Sequence, residues 1–273
     1  MSSPNPQAKG LLFDMVRCSG CRKCIRACLE THGFPGDPKA TTELSATAYT
    51  SMVEKDDHQI RNMCRHCVEP SCASVCPVAA LRKTPEGPVV YDADRCIGCR
   101  YCMVACPFNI PRYEWNDPVP AVRKCDLCYD RVKTGGMPAC AEACSYEATV
   151  FGTREELLKL ARERIAEDPD LYYDHVYGET EIGGTSVLFL APRPEEALGY
   201  KPILGTKPLP VLTMKQLDRV PGIVIGGSTA LLAIWWITSR RDEVMAHEAR
   251  AARQASENGN GSSSGDGHGH GAR

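Results

Sequence analysis

Sixteen cysteines, all before residue 145 and grouped in four tight quartets, limit what this chain can build more than any other feature. The quartets are Cys18, Cys21, Cys24 and Cys28; Cys64, Cys67, Cys72 and Cys76; Cys96, Cys99, Cys102 and Cys106; and Cys125, Cys128, Cys140 and Cys144. A disulfide framework would staple the whole length, yet nearly half the chain follows Cys144 without a thiol. Neighbours within a CxxC run also lie too close to bridge easily. The repeated spacing points instead to metal.

An iron–sulfur cubane needs a thiolate on each of four irons, and a CxxCxxC triplet wraps three of them around one corner. In the bacterial run CxxCxxCxxxCP the fourth cysteine serves the other cluster. The third quartet has this run in full, with Pro107. The first has the spacing with Leu29 in place of proline, the second lengthens one gap to four residues, and the fourth lengthens one to eleven and has Ser145 in place of proline. Zinc is the chemical rival, but zinc ribbons use two CxxC pairs across a loop rather than triplets with a trailing cysteine. Four quartets match four [4Fe–4S] clusters with no thiol left over and none short, so a three-iron cluster is not expected.

Applied twice, the crossed-ligand rule gives the pairing. The second and third quartets form one ferredoxin-like unit, with one cluster on Cys64, Cys67, Cys72 and Cys106 and the other on Cys96, Cys99, Cys102 and Cys76. By nesting, the first and fourth form an outer unit, with sets Cys18, Cys21, Cys24, Cys144 and Cys125, Cys128, Cys140, Cys28. His66 lies between two ligands, where hydrogen bonding to a cluster and plain packing are both open readings. Arg65, Arg100 and Arg123 stand in the same loops, either offsetting cluster charge or solvated. No nucleotide loop, GxSxG or HExxH is present, and a net charge of −2 offers no basic face for nucleic acid.

The rest of the chain is simpler. The stretch LRKTPEGPVVYDADR, with its Pro-Glu-Gly turn and Val89-Val90-Tyr91 run, predicts a small hairpin. Residues 29–63 read as an irregular insert. Thr153-Arg154-Glu155-Glu156 is a capping box opening a helix with Leu157, Leu158, Ala161 and Ile165 on one face, ending before Pro169. Residues 186–190 read as a strand and residues 192–210, with five prolines, as an extended linker.

Residues 220–239 hold no charge, and twenty residues at about 1.5 Å each span about 30 Å, one hydrocarbon core. Pro221 suits a helix start, Trp235 and Trp236 suit the interface near the far end, and Arg240 and Arg241 follow at once. Gly222 and Gly226 form a GxxxG pair. A buried core helix is the alternative to a membrane anchor. Residues 242–257 read as a solvated helix and 259–273, rich in Gly, Ser and His, as a disordered tail. The expected domains are therefore residues 1–208 (tandem cluster domain and linker), 209–241 (anchor) and 242–273 (tail). The first ten residues carry no apolar run and no paired arginines, which leaves a cytoplasmic site, export with a partner or a leader missing from this sequence as the readings.

The segments RHCVEPSCASVCPVAAL, DRCIGCRYCMVACPFNIPRYEWNDP, KCDLC and GGMPACAEAC, with VFGTREELL and VYGETEIGGTSVLFL downstream, resemble the four-cluster ferredoxin subunits of respiratory oxidoreductases. The likeness extends from about Leu11 to Leu190. It is strongest to the membrane-anchored iron–sulfur subunit of hydrogenase-2-type [NiFe] hydrogenases and similar to the beta subunit of membrane formate dehydrogenase. The resemblance implies an α+β fold of two fused ferredoxin-like 2[4Fe–4S] units plus one transmembrane helix, and the same cluster pairing. It also implies a non-catalytic role between a catalytic subunit, [NiFe] hydrogenase or a molybdopterin enzyme, and an integral membrane quinone-reactive subunit. The cluster domain would then face the periplasm.

Overall fold

Alternation along the first strand organises the cysteine-bearing half of the chain. A computed structural model describes residues 5, 7–115, 117–118, 121–194, 199 and 205–260. In chain order the elements are β1 (Lys9–Asp14), α1 (Lys23–His32), β2 (Thr50–Lys55), β3 (His58–Met63), α2 (Ser71–Ser74), β4 (Leu81–Lys83), β5 (Val89–Tyr91), α3 (Tyr101–Ala105), β6 (Arg112–Tyr113), β7 (Val122–Arg123), α4 (Tyr129–Val132), α5 (Ala139–Glu142), β8 (Thr149–Thr153), α6 (Arg154–Glu167), β9 (Val187–Leu190), α7 (Leu209–Leu217) and α8 (Val220–Asn260). They fall into two units, Met1–Thr213 and Met214–Arg273.

In the first unit β1 is the middle strand of β8-β1-β9, antiparallel to β8 and parallel to β9. Successive side chains of a strand point to opposite faces. Leu11 and Phe13 therefore join Val187, Phe189 and the cysteine-lined core, while Leu12, Leu188 and Leu190 pack under α6 against Leu157 and Ala161. Gly10 is required where β1 meets the segment before β9, because a Cβ there would lie 1.9 Å from the Ser186 carbonyl oxygen. Since β1 precedes the first quartet and β8 follows the fourth, their pairing folds the ends of the cysteine region together around its middle.

The Pro-Glu-Gly stretch forms the hairpin β4–β5, with Arg82 opposite Val90. Thr153 caps α6 by accepting the Glu156 N–H, and the Glu156 carboxylate accepts the Thr153 N–H in return, completing the capping box. Leu157 and Ala161 are buried on α6, with Leu158 and Ile165 partly so. Arg164, on the same helix, donates to Asp14 at 2.8 Å, and the Tyr172 hydroxyl reaches the same carboxylate at 2.9 Å.

The insert expected to be irregular is not so throughout. Residues 50–63 form the hairpin β2–β3, with Met52 opposite Arg61. Its two-residue turn is Asp56-Asp57, both with positive φ (50° and 63°), the conformation of a hairpin turn made more commonly by Asn-Gly. The hairpin escapes a hydrophobicity reading because one of its most buried residues is an arginine.

In the second unit α8 runs for 41 residues, roughly 60 Å at about 1.5 Å per residue and twice a hydrocarbon core. The run Leu209–Ser256 is long and apolar enough to cross a membrane, and no part of its apolar window is buried. The charged stretch from residue 242 continues α8 as an exposed helix. Gly259 and Asn260, expected in the tail, still belong to α8, and residues 261–273 lie outside the described residues. Of the proline-rich linker, 195–198 and 200–204 also lie outside them, and its last residues, Leu209 and Pro210, open α7.

Candidate metal centres

One backbone device recurs in each quartet. The third cysteine is always the second residue of a short helix: Cys24 in α1, Cys72 in α2, Cys102 in α3 and Cys140 in α5. Between the first two cysteines a left-handed residue turns the chain back on itself: Gly20 (φ 71°), His66 (48°), Gly98 (67°) and Leu127 (60°). The unequal gaps are absorbed just before the helix. Quartets one and three enter it through left-handed Arg22 and Arg100, whereas two and four, with the longer gaps, enter through Pro70 and Pro138.

The trailing cysteines show what the missing prolines cost. After Cys76, Cys106 and Cys144 the chain makes the same turn, with positive φ at Ala79, Asn109 and Glu147. Backbone N–H groups then donate to each sulfur: Ala80 to Cys76 (3.2 Å), Ile110 to Cys106 (3.5 Å) and Thr149 to Cys144 (3.3 Å). Ser145 thus keeps the turn, with the N–H that reaches sulfur one residue later than after Cys76 and Cys106. Leu29 does not, because without a proline α1 runs on to His32 and Cys28 sits inside it.

Through these turns the structure gathers the thiols in four sets. Cys18 has Cys21, Cys24 and Cys144 as its charged neighbours. One small cavity is lined by those same four cysteines together with Phe13 and Met52. A second is lined by Cys76, Cys96, Cys99 and Cys102 with Leu81 and Val122. Cys67 is surrounded by Cys64, Cys72 and Cys106. Cys28 and Cys125 each meet Cys140, and Cys128 meets both Cys28 and Cys140. Each triplet is therefore completed by the trailing cysteine of another quartet. The sets also form a row: Cys24 lies near Cys140, Cys125 near Cys64, and Cys72 near Cys102. Cys21 and Cys99, the two exposed thiols among the described residues, belong to the two end sets.

The donor set fits a cubane better than a single ion. Tetrahedral zinc, with Zn–S bonds of about 2.3 Å, would hold its sulfurs roughly 3.8 Å apart. Among the described residues only His32, Asp126 and Cys128 bring their ligand atoms within 4.8 Å of one another, and no cysteine set does. The thiols also need a cation before they ionise. Burial pushes the Cys72 thiol up to about 12, with Lys124 opposing the shift and the sulfurs of Cys64, Cys106 and Cys102 adding to it. Burial likewise raises Cys128 to about 11, and Cys125 well above its ordinary range. A bound metal supplies the missing positive charge.

His66 is fully buried, and its Nδ1 accepts the Val89 N–H at 2.9 Å. Burial holds its imidazole well below the usual range, with Lys124 and Lys83 adding, so the ring is neutral and its proton sits on Nε2. That N–H meets no acceptor among the described residues, an orphaned donor between Cys64 and Cys67 that suits a sulfur-rich group. Of the three arginines marked in the sequence, Arg65 is buried with its guanidinium 3.9 Å over the Phe189 ring, Arg100 lies over Tyr113 and Trp115, and Arg123 pairs with Glu114 at 2.7 Å. Cysteine spacing gave no sign of three other cations beside the sets: Arg61, Lys83 and Lys124. Lys83 and Arg61 sit on strands, and only Lys124, next to Cys125, could have been suspected from position.

A fold of this kind, with buried thiols in crossed sets on ferredoxin-like turns, defines an iron–sulfur protein. Residues 58–154 match the family described as 4Fe-4S dicluster domain. A protein of Nitratidesulfovibrio vulgaris is 40% identical over 263 residues, covering 90% of this chain and 71% of the relative. The hydrogenase-2 operon protein HybA of Escherichia coli O157:H7 is 39% identical over 241 residues, covering 71% of this chain and 73% of the relative. The nitrate-inducible formate dehydrogenase iron–sulfur subunit of Escherichia coli K12 is 37% identical over 205 residues, covering 67% and 69%. The chain belongs to this family of iron–sulfur electron-transfer subunits of respiratory oxidoreductases.

Proposed function

We propose that this chain carries electrons through four [4Fe–4S] clusters between a catalytic subunit, a [NiFe] hydrogenase, and an integral membrane quinone-reactive subunit. The observation that carries this reading is the row of four cysteine sets, whose two exposed thiols among the described residues, Cys21 and Cys99, lie in the two end sets. The clusters would be held by Cys18, Cys21, Cys24 and Cys144; by Cys28, Cys125, Cys128 and Cys140; by Cys64, Cys67, Cys72 and Cys106; and by Cys76, Cys96, Cys99 and Cys102. A bound cluster supplies one-electron chemistry over a wide range of potentials. The chain's own part is to hold the thiolates, exclude water and aim N–H donors at sulfur, as Ala80, Ile110 and Thr149 do. It makes no bond in a substrate.

The exposed apolar helix supports a single-span anchor; the proposed domains are residues 1–208, 209–241 and 242–273, and the resemblance to hydrogenase-2-type subunits is what favours a periplasmic cluster domain. Near-equal identity to the formate dehydrogenase subunits supports a second reading, the same conduit serving a molybdopterin enzyme. Anaerobic purification from membranes tests both. About sixteen irons and sixteen acid-labile sulfides per chain are expected, four of each per cubane, and a few zincs without sulfide would end the cluster reading. Nickel in the co-purified complex selects hydrogenase, and molybdenum or tungsten selects the alternative. Protease added to spheroplasts should digest the cluster domain, and protection of that domain would reverse the topology.

A further inference from the structure

Arg61 heads the fully buried side chains by volume, at 1% exposure, and it stands where two cysteine sets meet. Its position on β3 is fixed by the pairing with Met52. Nε donates to the Thr50 hydroxyl at 2.9 Å and Nη1 to the Thr149 hydroxyl at 3.1 Å. The guanidinium also bonds the Cys140 sulfur and has Cys24 and Cys125 as near charged neighbours, with Cys28 beside them. Its carbon lies 5.8 Å from the centre of the Phe13 ring. Thr149 ties the arrangement together, because its hydroxyl accepts from Arg61 while its backbone N–H donates to Cys144. One fixed cation thus bonds the Cys28, Cys125, Cys128, Cys140 set at Cys140 and reaches the Cys18, Cys21, Cys24, Cys144 set through space at Cys24 and through Thr149 at Cys144.

Adding an electron to a cluster adds negative charge, and a positive charge a few ångströms away in a dry interior favours that state far more than it would in water. Net charge, hydrogen bonds to sulfur and exposure are the levers by which a protein sets a cluster's potential. Arg61 works through charge on both sets and through a direct hydrogen bond on the Cys140 sulfur of one of them. We infer that Arg61 is a shared tuning charge that raises the reduction potentials of the two clusters at this end of the row and keeps them matched, leaving the other two as they are. The inference rests on the reading that the cysteine sets hold clusters. A guanidinium keeps its proton in proteins, so the charge is permanent across the working range.

The test is an anaerobic redox titration of the full chain in detergent, followed by electron paramagnetic resonance, with iron and sulfide assayed on the same samples. In Arg61→Gln two of the four midpoint potentials should fall, each by about a tenfold shift in its reduction equilibrium, or about 59 mV for one electron. The other two should stay, and Arg61→Lys, which keeps the charge, should recover most of the loss. Four unmoved potentials, or four that fall equally, would overturn the inference. Loss of iron from both variants would overturn it as well, by making Arg61 a requirement for assembly rather than for potential. Absence of sulfide from the parent chain would instead bring down the cluster reading beneath it.

Discussion

In the unit Met1–Thr213 the side chains sealed from solvent include the cations Arg61, Arg65 and Lys124. In the unit Met214–Arg273, Ile223, Leu231, Trp235 and Trp236 are each more than half exposed. One unit buries charge and the other exposes large apolar surface, and each would be costly for a protein alone in water. Two different missing environments resolve the two costs. On the proposed reading, the buried cations are balanced once the thiols become thiolates around iron. Apolar surface is stable outside the second once lipid covers it. The same energetic rule, that every group must meet its counterpart, would thus be met by a cofactor in one unit and a solvent in the other.

Removing the metal should break that comparison most sharply. With iron stripped by a chelator under anaerobic conditions, the cations left beside neutral thiols lose their counter-charge. The first unit should lose cooperative unfolding, while α8 keeps its helical signal in detergent. Near-ultraviolet and far-ultraviolet circular dichroism separate the two. A stripped chain that still unfolds cooperatively would show that apolar packing around Leu11, Phe13 and Phe189 suffices.

Cutting the chain after residue 208 asks the converse question. The fragment should retain its full complement of iron and sulfide yet leave the membrane fraction, because no cysteine lies beyond Cys144 and the exposed apolar surface is removed. A fragment that still sediments with membranes, without partner subunits, would place the attachment elsewhere.

A single thiol tests how the first unit is organised inside. Cys106→Ala should remove the same one of four spectroscopic signals as Cys64→Ala, because Cys106 lies among Cys64, Cys67 and Cys72. If it removes the signal lost in Cys96→Ala, neighbours in sequence rather than in space share a cluster.

Cysteine spacing made the site legible because a cubane demands four thiolates at short, fixed separations, and only a few loops supply them. The capping box at Thr153 and the hairpin at Val89 were equally plain, each being encoded within a few residues. What lay hidden depends on distant segments. The β2–β3 hairpin has a charged turn, and its strand carries Arg61, whose burial makes sense only beside Cys24 and Cys140, 37 residues before it and 79 after it. Polar residues buried against a cofactor break the hydrophobic pattern that sequence reading relies on. The pairing of β1 with β8 across the whole cysteine region left no local trace for the same reason.

The smallest expected effect marks where the ordinary rules hold inside the first unit. Helix α6 lies on the side of the sheet away from the cysteines, packed through Leu157 and Ala161 onto Leu12, Leu188 and Leu190. Its start depends on Thr153, whose hydroxyl accepts the Glu156 N–H. Thr153→Ala removes that acceptor and should cost about 1 kcal/mol, the usual worth of such a cap. In a unit of this size the melting temperature should fall by about 2–4 °C. Iron, sulfide and every midpoint potential should be unchanged, because the sheet separates the cap from the thiols. Thr153→Ser, which keeps the hydroxyl, should restore most of the loss. If the alanine variant sheds iron along with stability, the two faces of the sheet are coupled, and the contrast with the exposed helix would then concern the first unit as a whole rather than its cysteine-lined side.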